Sequence, residues 1–265
     1  MIQFIDTRKV NLRILIKNLS QEFGKIASVI KFFDFMDINT FYSSQNASKA
    51  KGLAIVIDVL RAFTTACFVM NNGAKRIIPV ADINQAYKLK KESPDYILMG
   101  ERNGRMPVGF DFGNSPAEIQ NVDFANKTVI HATTVGTKGI INTVNADEII
   151  TGAFVNSNAV ISYIKQRKPK VISLVCTDAK DKENEDVMFA KYIKSYLKGK
   201  PLDFKKIKKH LENHSCAEGF LVNPMTSFSK QDFYLSLDLN RFNFVLKVKK
   251  DKNNLVYLEK IEIDS

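Results

Sequence analysis

Leu53-Ala-Ile-Val-Ile57, followed at once by Asp58-Val-Leu-Arg61, decides the reading of this chain. An apolar, β-branched run without polar alternation is what a strand needs when both of its faces are covered, as in the centre of a parallel sheet. It stops at a carboxylate. Arg61 to Asn72 then read as a helix ending near Gly73, and Lys75-Arg-Ile-Ile-Pro-Val80 reads as the next strand. The order strand, helix, strand is the unit from which α/β folds are built.

The same order returns along the chain. Lys127-Thr-Val-Ile-His131 leads into Thr133-Thr-Val-Gly-Thr137, an apolar helical segment, and Ala146-Asp-Glu-Ile-Ile150. Lys170-Val-Ile-Ser-Leu-Val175 opens a third unit, which passes through the acidic loop Asp178 to Asp186 into a helix from Val187 to Leu197. Ala81 to Lys91 has helical spacing, and Tyr96 to Met99 reads as a short strand. Two late alternating segments, Phe233 to Asp238 and Phe242 to Val248, are expected as strands, antiparallel and at an edge. The expected fold is therefore a three-layer α/β/α protein with a mostly parallel sheet. Its α/β domain is expected over residues 30–250, in lobes of roughly 30–125 and 126–250. Residues 1–29 read as an amphipathic extension, and 251–265 as a tail or edge strand.

The chain has 265 residues, 45% of them hydrophobic and 25% charged, enough to bury a core without disulfides or a structural metal. Cys67, Cys176 and Cys216 lack zinc or disulfide spacing. Neither a membrane-spanning run nor a signal peptide is read, so the protein is expected to be cytoplasmic. The net charge of +11 is spread over dispersed lysines with no nucleic-acid module beside them, which favours membrane-surface attraction or a solvated basic surface with small anionic substrates over nucleic acid. A homo-oligomer is compatible with the sequence.

In open parallel sheets, ligands bind beyond the carboxyl ends of the strands, and the polar residues of this chain collect there. Asp58 and Arg61 follow the first strong strand, with Thr64 and Thr65 on the helix behind them. Glu101 and Arg102 follow Tyr96 to Met99, Thr133 to Thr137 follow the second repeat, and Glu185 and Asp186 open the helix of the third. Backbone amides of a Thr- and Gly-rich turn suit a phosphate, and Thr133, Thr134, Gly136 and Thr137 supply such a turn. Arg61 and Arg102 add forked contacts to phosphate or to a second acid group. Mg²⁺ needs only one or two carboxylates besides waters and phosphate oxygens, for which Asp58, Glu185 and Asp186 are the candidates. Each residue also has a plain structural reading. Asp58 suits a helix cap, Glu185 and Asp186 suit a helix dipole, and His131 and Cys176 suit buried core positions.

Other phosphoryl-transfer chemistries lack their residues. Asp58-Val-Leu-Arg61 has no second aspartate two residues on, and Cys176 is followed six residues later by Lys182 rather than by arginine. There is no Walker A string and no dinucleotide fingerprint.

Longer strings carry a resemblance. Val56-Ile-Asp-Val-Leu-Arg-Ala62, Gly73 to Val80, Gly100-Glu-Arg102, Gly109-Phe-Asp-Phe-Gly-Asn-Ser-Pro116, Thr151-Gly-Ala-Phe-Val-Asn156 and Asp232 to Val245 resemble, in order and spacing, motifs of the 2-phosphosulfolactate phosphatases. The resemblance implies a Mg²⁺-dependent phosphatase that releases inorganic phosphate from 2-phosphosulfolactate, a step of coenzyme M biosynthesis, or from a related small acidic ester. Asn114 and Ser115, inside one of these strings, join the substrate-binding candidates; Asp58 and Glu185 are catalytic candidates as holders of the metal, and Glu101 and Asp111 as supports of its ligands or as general acid and base. Two departures mark this chain. Val135 stands where the family's threonine run continues with an asparagine, and Thr177 to Asn184 replaces a glycine-rich turn. A relative that binds small anions without turning them over is the alternative reading.

Overall fold

The computed structural model describes residues 36–179, 181–222 and 228–263. The chain divides into two units, residues 1–36 and 37–265, and all the elements below belong to the second. The segment expected as an amino-terminal extension, 1–29, lies outside the described residues.

The strands are β1 (Asp37–Phe41), β2 (Leu53–Ile57), β3 (Arg76–Val80), β4 (Ile97–Gly100), β5 (Thr128–Ala132), β6 (Glu148–Gly152), β7 (Val171–Cys176), β8 (Phe244–Lys250) and β9 (Val256–Glu262). The helices are α1 (Ala62–Asn71), α2 (Ile83–Glu92), α3 (Pro116–Ile119), α4 (Gly136–Asn142), α5 (Ser157–Arg167), α6 (Glu185–Leu197), α7 (Phe204–Glu212), α8 (Glu218–Leu221) and α9 (Lys230–Ser236). Among the described residues the strands form a single sheet in the order β1-β7-β2-β6-β8-β9-β3-β5-β4. Neighbours within the group β1-β7-β2-β6 pair in parallel, as do neighbours within β3-β5-β4. The antiparallel hairpin β8–β9 joins the two groups. The sheet is thus the mostly parallel one that the sequence predicts.

The uninterrupted run at β2 is buried along its whole length, and opposite faces meet different helices. A β-carbon added at Gly139 of α4 would meet Val56, whereas one added at Gly152 would meet Ile55 together with Phe189 of α6. Successive strand residues point to opposite faces, so α4 and α6 cover the two sides of β2. Phe189 and Phe154, fully buried with ring centroids 5.2 Å apart, fill the α6 side. Around the β3-β5-β4 group, Ile78, Val80, Leu98 and Ile130 form a separate cluster with Ala86, Ile83 and Leu89 of α2 packed on it.

Several expectations are corrected by this arrangement. β2 and β3, consecutive in the chain, are not neighbours, because β6 and the β8–β9 hairpin lie between them. That hairpin occupies the middle of the sheet rather than an edge, with β9 (Val256–Glu262) as an interior strand. Both parallel groups are served by one sheet, and the first contains β1 and β2 from before residue 126 as well as β6 and β7 from after it. Phe233 to Asp238, expected as a strand, lies mostly within α9. The Ser229 hydroxyl accepts from the Asp232 amide while the Asp232 carboxylate accepts from the Ser229 amide, a reciprocal cap that starts a helix. Phe233 and Leu237, four apart, are its buried face. β1 and α5 were not expected.

Candidate active site

A cleft of about 390 Å³ opens beyond the carboxyl ends of β2, β4, β5 and β7. Asp58, Arg61, Glu101, Asn114, Thr133, Thr134, Thr177, Asp178, Glu185 and Asp186 are among the residues that line it. The chain crosses between the two parallel groups twice here, outward after β2 through α1 and back after β5 through α4. Loops that belong to different halves of the sheet therefore face each other, as at the switch points where open sheets bind ligands.

Asp58 directly follows β2 and lies against Gly136 of the Thr133–Thr137 turn. Its Oδ1 accepts from the Ala62 amide at 2.9 Å, and its Oδ2 accepts from the Thr177 hydroxyl at 3.4 Å. A β-carbon at Gly136 would stand 2.5 Å from Asp58 Oδ2 and 2.8 Å from Ala62 Cβ, so only glycine lets the turn come this close. The amides of Val135 and Gly136 make no hydrogen bond among the described residues. Thr133 and Thr137 brace the turn from within, the Thr133 hydroxyl accepting from the Thr137 amide and the Thr137 hydroxyl donating to the Thr133 carbonyl. The Leu60–Arg61 peptide beside Asp58 is cis.

Glu185 and Asp186 open α6, capped by the Asn184 side chain. Their roles diverge. Asp186 Oδ1 accepts from the Val59 amide, and its Oδ2 lies within hydrogen-bonding reach of the Thr177 amide and hydroxyl and the Asp178 amide. It ties the ends of β2 and β7 to the helix. Glu185 Oε2 is buried with no hydrogen-bond partner among the described residues. Burial, reinforced by the neighbouring carboxylates, raises Glu185 to about 7 and Asp58 to about 6 and pushes Asp186 well above the carboxylate range.

Glu101, after β4, grips the turn from the other side. Its Oε1 accepts from the Thr134 amide at 2.6 Å, and its Oε2 accepts from the Thr134 hydroxyl at 2.9 Å and the Gly104 amide at 2.8 Å. Gly100 permits this approach, because a β-carbon there would lie 1.9 Å from the Ala132 carbonyl oxygen. Asn114 lines the cleft and is held by His131, whose Nε2 lies 3.1 Å from Asn114 Oδ1. Burial and the charge of Arg102 lower His131 to about 4, so it is a neutral core histidine that orients an amide. Arg61 also lines the cleft and is paired with Asp232 at 2.8 Å.

Several sequence candidates fall outside the cleft lining. Arg102 donates to the carbonyls of Glu101 and Ala81, which anchors its own loop. Asp111 accepts from the Leu98 amide and Lys90. Thr64 and Thr65 are fully buried and donate to the carbonyls of Val59 and Arg61. Ser115 caps α3 and donates to Asp232. Sequence reading missed Thr177 and Asp178 at the end of β7, which the rule about strand ends covers, and Phe228, which no local signal marks; Asp232 opens one of the resembling strings but is not singled out there as a site residue.

The residues suit a hard divalent cation. Among the described residues no group of three or more His, Cys, Asp or Glu is arranged to hold a metal ion by itself. Mg²⁺ does not ask for one, since it keeps waters and takes substrate oxygens. A partnerless buried carboxylate oxygen on Glu185, with Asp58 close enough to raise its proton affinity, is the donor set such an ion uses.

Fold and cleft together define an open α/β protein with an acidic cleft at its topological switch point. Residues 40–250 match the model of the family described as 2-phosphosulpholactate phosphatase, and the chain belongs to that family. A probable 2-phosphosulfolactate phosphatase of Bacillus subtilis is 30% identical over 220 residues, which are 82% of this chain and 95% of the relative. Proteins of the same name from Thermotoga petrophila and Thermoplasma acidophilum are 40% and 34% identical over 146 and 149 residues. Those stretches are 55% and 56% of this chain, and 62% and 67% of the relatives. The match to the Thermotoga protein thus spans less than two thirds of its length. Among the described residues no helix is long and apolar enough to cross a membrane.

Proposed function

We propose that the protein is a Mg²⁺-dependent phosphatase that hydrolyses 2-phosphosulfolactate, or a related small acidic phosphate monoester, to the alcohol and inorganic phosphate. The observation that carries this reading is the buried, partnerless Glu185 Oε2 in a cleft it shares with Asp58, Arg61 and the Thr133–Thr137 turn. Asp58 and Glu185 would hold the metal, which when bound supplies positive charge against the phosphate oxygens. The amides of Val135 and Gly136 and the guanidinium of Arg61 hold the phosphate and the substrate's second acid group. Glu101 and Asp186, whose oxygens are already occupied by the chain, keep the turn and the α6 terminus in place. A small, highly anionic substrate suits a site whose carboxylates are balanced by a bound cation.

The test is release of inorganic phosphate from 2-phosphosulfolactate and from other small acidic esters, with Mg²⁺ and with EDTA. Chelation is expected to abolish release and Mg²⁺ to restore it. Asp58→Asn and Glu185→Gln are each expected to lower kcat by roughly a hundredfold or more. Unchanged turnover in both variants removes these residues from the mechanism. Thermal stabilisation by esters with no phosphate release at all favours the anion binder instead.

A further inference from the structure

We propose that Asp232, 171 residues along the chain from Arg61, is the positioning residue for Arg61 and that anion binding depends on the pair rather than on the arginine alone. The inference rests on the reading of Arg61 as an anion-binding cation of the cleft.

Asp232 sits in the first turn of α9, and its carboxylate is saturated by the chain. Its Oδ1 accepts from the Ser115 hydroxyl at 2.6 Å and the Ala117 amide at 3.0 Å. Its Oδ2 accepts from Arg61 Nη1 at 2.8 Å and the Ser229 amide at 3.2 Å. With both oxygens fixed on two sides, the carboxylate has no freedom to turn, and the place of the guanidinium is set by the starts of α3 and α9. The side chains of the pair are 3% and 1% exposed. The aromatic ring of Phe228 completes the seat, its centroid 4.3 Å from Arg61 Cζ, with the Phe220 ring at 5.6 Å.

Asp232 does not line the main cleft, although it borders a neighbouring hollow that shares Arg61, Asn114 and Phe228 with it. It therefore acts through Arg61. A buried carboxylate that offsets a buried guanidinium also limits the cost of keeping that charge beside the substrate, and removing one partner leaves the other uncompensated.

A double-mutant cycle tests the coupling. kcat/KM for ester hydrolysis and the dissociation constant for orthophosphate are measured, with Mg²⁺, for wild type, Asp232→Asn, Arg61→Met and the double variant, and Tm is recorded for each. Asp232→Asn is expected to lower kcat/KM and weaken orthophosphate binding by about 10- to 100-fold in the native background. In the Arg61→Met background the same change is expected to alter either quantity by less than about threefold. An equal loss in both backgrounds overturns the proposal, as does a lowered Tm with wild-type kcat/KM, since either result leaves Asp232 a purely structural role. If Asp232→Asn does not fold, Asp232→Glu, which keeps the charge and displaces the carboxylate, is carried through the same cycle, where loss confined to the native background supports the coupling and equal loss in both overturns it. A wild type that binds orthophosphate without hydrolysing esters refutes the phosphatase reading alone, and the cycle is then decided on binding. A wild type that does not bind orthophosphate overturns both.

Discussion

Gly136 shows how single residues set this cleft. A methyl group at that position would overlap a carboxylate oxygen of Asp58 and the β-carbon of Ala62, neither of which is the free end of a flexible chain. Gly136→Ala is therefore expected to separate the turn from Asp58. Overpacking of this kind costs about 1–3 kcal/mol of stability, but catalysis suffers more because the amides of the turn move away from the metal candidates. Kinetics beside a thermal melt check this: kcat/KM should fall by more than the loss of folded protein explains. Glycine between threonines is visible in the sequence, but the atom it makes room for is not. Of the sequence candidates, Asp58, Arg61, Glu101, Thr134 and Glu185 meet in one cleft because they follow strand ends. Arg102 and Asp111 follow or flank a strand end as well, yet Arg102 turns to the carbonyls of Glu101 and Ala81, and Asp111 to the amide of Leu98 in β4.

At the scale of elements, the antiparallel contact of β6 with β8 is locked on its outer end by charge. Glu148 of β6 accepts from Tyr163 and Arg167 of α5 and from Lys247 of β8. Burial opposes ionisation of Glu148, but the hydrogen bonds of Arg167, Lys247 and Tyr163 outweigh it and hold the group at about 2, against an ordinary value of 4.5. A depressed folded-state value means that the stabilisation is fully present above pH 4.5 and is lost as pH falls through about 2. Glu148→Gln should thus melt below wild type at pH 7, and the gap should narrow steadily as the pH falls from 4.5 towards 2. A gap that stays constant over that range shows that the carboxylate's charge contributes nothing. The elements themselves were largely legible: β2 from its apolar run, α2 and α6 from their spacing, although the caps at Asp82 and Asn184 that start these helices were not read. α9 was not, because seven residues alternate too briefly to distinguish a strand from two turns of helix, and the signal lay in the Ser229–Asp232 cap.

For the whole molecule, the hairpin β8–β9 is the decisive feature. β9 pairs with β8 on one side and β3 on the other, and its Leu258 is buried against the sheet. Deleting residues 251–265 therefore removes an interior strand and leaves β8 on one side and β3 on the other as unpaired edges. The truncated chain is expected to lose cooperative thermal unfolding and to aggregate. A sharp melt with native near-ultraviolet dichroism would contradict the interior placement of β9. Charge also acts at this scale. The chain as a whole carries a net charge of +11, whereas the cleft is lined by the carboxylates of Asp58, Glu101, Asp178, Glu185 and Asp186 beside the guanidinium of Arg61, so net charge alone does not describe the cleft.

The sequence by itself determined that the chain builds α/β units, that its central strand is covered on both faces, and that polar residues gather at strand ends. These are properties of periodicity and of residues close in the chain, and they survive whatever the strands pair with. Only the tertiary structure decided which strands are neighbours, and therefore which loops meet. Asp58 reaches Gly136, and Arg61 reaches Asp232, across separations of 78 and 171 residues, because a carboxyl-terminal hairpin holds the two halves of the sheet together. Such contacts depend on which pairings minimise exposed edges and fill the core, a property of the assembled sheet that no single segment encodes.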